Sequence, residues 1–119
     1  MLHETYCDSV RIISLDRNEL LAELSRIAGQ IRAAHPEVAD LRIFGSLARG
    51  DQTGTSDVDI LIVLRQPFGD PVEQARRFYG YFDLPVGVDL LVLDGDQVLR
   101  RQKAGDPFIR RVWQEGVRI

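Results

Sequence analysis

The chain has 119 residues, 45% of them apolar and 28% charged, with a net charge of −3 and a single cysteine. This suits one domain, 1–119, of ordinary globular composition; it excludes an internal disulfide, and the acidic balance argues against direct nucleic-acid binding, which normally needs a basic face. No apolar run approaches the roughly 20 residues of a membrane span, and Met1 to Tyr6 lacks the charged-then-apolar pattern of a secretory leader, so a cytoplasmic protein without membrane contact is expected.

In chain order, Val10, Ile12 and Ile13 leave two readings open, a short edge strand or a segment packed on a helix. His3 has no second ligand at a metal-binding spacing, and Cys7 has no basic neighbour to activate it. Asp16, with Glu19 three residues on, reads as a helix cap. Leu20, Leu21, Leu24, Ile27, Ala28 and Ile31 mark one apolar stripe, predicting a helix to about Ala34. His35 precedes Pro36, which disfavours further helix, and is expected as a solvated helix-end residue. Val38 to Phe44 reads as the first core strand. Val58 to Leu64 reads as a second, apolar on both faces as a central strand would be. After a turn at 66–69, Asp70-Pro71 opens a second helix with Val72, Ala75, Phe78, Tyr79 and Phe82 as its inner face. Val86 to Leu93 is expected as the third strand, with Asp89 in its middle. Asp94 caps a helix near Gln97 to Lys103, Asp106-Pro107 caps another near Pro107 to Glu115, and Val117 to Ile119 ends as an extended tail. The last helices carry Arg100, Arg101, Lys103, Arg110 and Arg111 among Phe108, Ile109 and Trp113. This is either a partner surface or, the favoured reading, a core-packed helix with a basic outer face. The order predicts an α/β (α+β) domain, a small mixed sheet backed by helices.

The chemistry concentrates between Ile43 and Leu64. Strand geometry puts Asp57 and Asp59 on one face, at the mouth of an apolar strand where acids are usually avoided. Two adjacent carboxylates repel, and a cation between them relieves the repulsion. Gly45 lets backbone approach a bulky anion, and the Ser46 hydroxyl can donate to a phosphate oxygen. Ser46 to Arg49 can form one helical turn whose first amides favour an anion, and Arg49 adds a planar cation. Metal-bound nucleoside triphosphate is the joint reading. The bland alternatives are a plain Gly-Ser turn, Asp89 paired with Arg42 or Arg65, and Arg49 packed on Asp51 or Asp57. Ser56 is read as orienting the loop rather than touching substrate.

Gly45-Ser46-Leu47-Ala48-Arg49-Gly50, with Asp57-Val58-Asp59 ten residues beyond Ser46 and an apolar run after it, resembles the minimal nucleotidyltransferases of the polymerase-β-like superfamily. The resemblance implies that superfamily's mixed-sheet core and a third carboxylate on a later strand, which Asp89 supplies. It implies nucleotide binding by Gly45, Ser46 and Arg49. It implies catalysis and metal binding by Asp57, Asp59 and Asp89, through two Mg²⁺ ions roughly 3.5–4 Å apart, with ATP as substrate. Polymerases and tRNA-modifying members carry further domains, and small-molecule members usually add a helical one. A bare core with this motif spelling looks like the antitoxin of a HEPN/MNT toxin–antitoxin pair. That likeness implies adenylylation of a tyrosine on a HEPN RNase toxin, in a hetero-oligomer. Two other readings stay open: a non-catalytic antitoxin that neutralises by binding, and a small-molecule nucleotidyltransferase.

Overall fold

The computed structural model describes residues 17–50, 57–84 and 86–119 in full, and residues 2–7 and 10–15 as backbone. Strands β1 (Leu2–Cys7) and β2 (Val10–Leu15) pair antiparallel as a hairpin in a sheet of their own. The Val10 segment is therefore a hairpin strand and not an edge of the main sheet. The cap expected at Asp16 lies outside the described residues, as do Asp51 and Ser56 and the side chains of His3 and Cys7.

Helix α1 (Arg17–Ala34) buries the predicted stripe of Leu20, Leu24, Ile27, Ala28 and Ile31. Then come β3 (Val38–Phe44), the one-turn α2 (Ser46–Arg49), β4 (Val58–Leu64), α3 (Pro71–Tyr79), β5 (Val88–Asp94), α4 (Gly95–Lys103), α5 (Pro107–Glu115) and β6 (Val117–Arg118). The sheet order is β5-β4-β3-β6. β4 runs parallel to β5, and β3 antiparallel to both β4 and β6. Among the described residues, no helix is long and apolar enough to cross a membrane.

β4 is the central strand, and its period of two divides the core. Val58, Ile60, Ile62 and Leu64 pack under α1 and α3 with Leu41, Ile43, Phe78 and Val92. Leu61 and Val63 face the other way, under α4 and α5, with Leu93, Val98, Ile109 and Val112. Ile60, Leu61 and Ile62 are fully buried, each worth about 1.5–3 kcal/mol of burial. The alternation puts Asp57 and Asp59 on the face that α4 and α5 cover.

Helix starts follow the side chains that cap them. The Asp70 carboxylate accepts the Val72 N–H at 2.9 Å, and Asp106 accepts that of Phe108 at 2.8 Å. Asp94 and Gln97 form a reciprocal capping box. This ties the end of β5 to α4 and satisfies the buried Asp94 carboxylate. α5 is the core-packed amphipathic helix favoured from its pattern: Ile109 and Val112 are buried, and Arg42 stacks 4.5 Å over Trp113.

Three expectations need correction. β5 begins at Val88, so Asp89 is its second residue rather than mid-strand. The inner face of α3 narrows to Phe78 and part of Ala75, with Phe82 buried just beyond; Val72 and Tyr79 are 58% and 49% exposed. The Tyr79 hydroxyl instead donates to the Val88 carbonyl. His35 is half-buried rather than solvated. After Pro36 turns the chain, its ring lies edge-on to Phe78 at 5.0 Å, with Nδ1 3.0 Å from Glu37 and Nε2 3.1 Å from the Tyr81 hydroxyl.

Candidate active site

The parallel register of β4 and β5 places Asp59 directly beside Asp89. The same register aligns Val58 with Val88, so both acids project from the face opposite those buried valines. Asp57 stands just before β4 and is exposed; Asp89 is exposed and Asp59 half-buried. The antiparallel register of β3 sets Phe44 opposite Asp59, which brings Gly45 onto the same carboxylate. The later strand start makes this juxtaposition. An Asp89 in mid-strand would have paired deeper in the sheet.

Two glycines make room for two of the acids. Gly45 has φ +74°, and a Cβ there would stand 3.3 Å from the Asp59 Cγ and closer still to its Oδ2. Gly87 would bring a Cβ within 2.9 Å of the Asp57 Cγ, and its carbonyl accepts the Val58 N–H at 2.9 Å. Nothing in the sequence pattern singled out Gly87, because its neighbour Asp57 is thirty residues away in the chain.

Burial is the main force raising the Asp59 pKa above its ordinary value. The charges of Asp89 and Asp57, and a hydrogen bond with Asp89, push the same way, while Arg49 opposes them. A hydrogen bond between two carboxyls needs a shared proton. The bland partners for Asp89 are engaged elsewhere. Arg42 bonds Asp40 at 2.8 Å, and Arg65 donates to the Pro36 carbonyl at 3.0 Å. Among the described residues, no three carboxylate, imidazole or thiol groups are placed so that they could hold a metal ion between them.

A proton held more tightly folded than unfolded means that ionised Asp59 opposes folding. That opposition is absent below the unfolded carboxylate value of about 4. It grows as pH rises from that value and is complete once pH has passed the raised, folded one. Asp59→Asn is therefore expected to raise the Tm of chelator-treated, nucleotide-free protein at neutral pH. The gain should shrink toward zero near the unfolded value. A melting series across pH checks this; a lower Tm at neutral pH would contradict it.

Ser46, Leu47, Ala48 and Arg49 form the predicted single turn, with Gly50 closing it in the left-handed region at φ 83°. Arg49 lies 3.6 Å from Glu115, with both side chains two-fifths exposed. Exposed pairs of this kind contribute little to stability, about 0–1 kcal/mol. A cleft of about 200 Å³ opens beside the acids, lined by Phe44, Gly45, Arg49 and Asp59 on one side and Phe108, Arg111, Val112 and Glu115 on the other. Phe44 and Phe108 meet edge to face at 5.4 Å on its wall. The α5 residues are absent from the predicted site. Their helical spacing is readable, but which acid they would face is set by tertiary packing alone.

The family profile described as nucleotidyltransferase domain matches residues 24–119. A Sulfolobus solfataricus protein assigned as a nucleotidyltransferase is similar in structure, with a TM-score of 0.60 and 28% identity over 71% of this chain and 75% of that one. A toxin–antitoxin structure with AMP-PNP shares the fold at a TM-score of 0.50 and 21% identity, over 87% of this chain and 72% of that one. No curated protein matches the chain.

Proposed function

Because the chain belongs to the nucleotidyltransferase domain family, we propose that it transfers AMP from ATP to a tyrosine hydroxyl of a HEPN-type toxin, acting as the antitoxin of that pair in the cytoplasm. The observation that carries the transfer chemistry is the meeting of Asp59 with Asp89, beside Asp57 and the Gly45-Ser46 turn. The toxin as partner is supported by the motif spelling, and by the fold neighbour that is a toxin–antitoxin structure with AMP-PNP.

The donor set fits a hard divalent cation. It is three carboxylates at an open edge, oxygen ligands of the kind such a cation takes, two of them side by side on β4 and β5. Asp57, Asp59 and Asp89 would hold two Mg²⁺ ions. When bound, Mg²⁺ offsets triphosphate charge and lowers the pKa of an attacking hydroxyl. The Gly45 backbone leaves room for the phosphates, the Ser46 hydroxyl donates to one, and Arg49 offsets their charge. Asp89, exposed and at the strand mouth, accepts the proton of the incoming tyrosine. The phenolate oxygen bonds to the α-phosphorus, and the bond to the β-phosphate oxygen breaks with release of pyrophosphate.

The test is incubation with ATP, Mg²⁺ and the protein encoded by the neighbouring gene, followed by intact mass of both chains. AMP should appear on a tyrosine of the partner. A stable, neutralised complex without added mass would mean an antitoxin that acts by binding. AMP on a soluble alcohol with no protein present would mean a small-molecule enzyme. Either result overturns the proposal.

A further inference from the structure

Arg17 opens α1, thirty residues before Leu47, yet its guanidinium reaches the Gly45-Ser46 turn. Its Nε donates to the Leu47 carbonyl at 3.0 Å, and its Nη2 to the Ala48 carbonyl at 3.3 Å. That turn has little support of its own. α2 is a single turn, closed by Arg49 N–H to the Gly45 carbonyl at 3.2 Å and Gly50 N–H to the Ser46 carbonyl at 2.9 Å. A lone turn fixes several dihedrals for very few bonds, so it does not form unaided. Of its last carbonyls, that of Leu47 accepts only a second, longer bond from the Gly50 N–H, at 3.3 Å, and a helix leaves its last carbonyls short of partners of its own. Arg17 supplies partners to two of them and sets a positive charge where the peptide dipoles end negative. The planar fork serves both carbonyls at once, which an ammonium cannot do with the same geometry.

We propose that Arg17 is the positioning residue of the nucleotide-binding turn. By holding Leu47 and Ala48 it fixes the residues on either side, Ser46 and Arg49, in the shape that receives the triphosphate. It touches no reacting atom. Its consequence for catalysis rests on the nucleotidyl-transfer reading, whereas its grip on the turn does not.

Two measurements on Arg17→Ala and Arg17→Lys test this. The first is transfer kinetics. Arg17→Ala should raise the KM for ATP about tenfold while kcat changes by less than about threefold, and Arg17→Lys should recover part of the loss. The second is amide hydrogen exchange without nucleotide. The Arg49 and Gly50 amides should exchange roughly tenfold faster in Arg17→Ala, with amides shared by β3 and β4 unchanged. An anchor serving stability alone would lower Tm and speed exchange throughout while leaving KM in place, and that result overturns the proposal. So does unchanged exchange at Arg49 and Gly50. If wild-type protein transfers no nucleotide, the transfer reading fails, and the exchange measurement still decides whether Arg17 holds the turn.

Discussion

Asparagine at Asp57 or Asp59 is expected to remove nucleotidyl transfer, by more than about a hundredfold, and to leave the fold intact. The magnitude is a floor. Changing even the outer partners of metal ligands commonly costs about 10–100-fold, and these two residues are proposed as ligands themselves. The fold survives because neither carboxylate supports it. Asp57 is exposed, and ionised Asp59 works against folding through its burial and its charged neighbours. Asparagine keeps the shape and loses the charge that would hold a cation. The same substitution separates binding from chemistry. Mg²⁺ with ATP should raise the Tm of the wild-type protein by mass action, and the Asp57→Asn protein should not respond. Transfer assays and melting curves check both parts. A doubly substituted protein that labels its target at the normal rate would contradict the mechanism.

The two glycines give the second large effect, and they differ in kind. Alanine at Gly45 meets two obstacles: the Asp59 carboxylate, and a backbone at φ +74° that an L-residue tolerates poorly, at about 1–2 kcal/mol. Gly45→Ala should lose both stability and transfer. Gly87 has ordinary backbone, and the atoms nearest a Cβ there belong to Asp57. Gly87→Ala should therefore fold and melt close to wild type while displacing Asp57, and transfer should fall about tenfold or more, the scale on which misplaced catalytic groups lose rate. Measuring Tm and transfer on both variants separates the effects. A Gly87→Ala protein with full activity would mean that Asp57 need not stay where it stands.

Much of the fold was legible because it rests on local pattern. The α1 stripe, the doubly apolar β4 and the caps at Asp70, Asp94 and Asp106 each announce themselves within a few residues. The acids were legible for a related reason: carboxylates entering an apolar strand are out of place unless something binds them. What could not be read were contacts that only packing creates. The β5 start, and so the pairing of Asp89 with Asp59, depends on a register between strands thirty residues apart. Arg17 reaches its carbonyls, and Gly87 clears space for Asp57, across similar gaps. His35 packs on Phe78 and Tyr81, and nothing local in the sequence announces it. The cleft wall on α5 lies about fifty to seventy residues beyond the motif it faces.

The proposed sharing of bound metal by the three carboxylates is tested most directly by Mn²⁺, which suits the same oxygen ligands as Mg²⁺. Titrated into isotope-labelled protein with ATP, its paramagnetism marks the amides nearest the ion. The signals of Val58, Asp59, Asp89 and Leu90 should broaden together, ahead of the rest of the chain. Broadening centred elsewhere, or reaching Asp59 while sparing Asp89, would contradict a shared site.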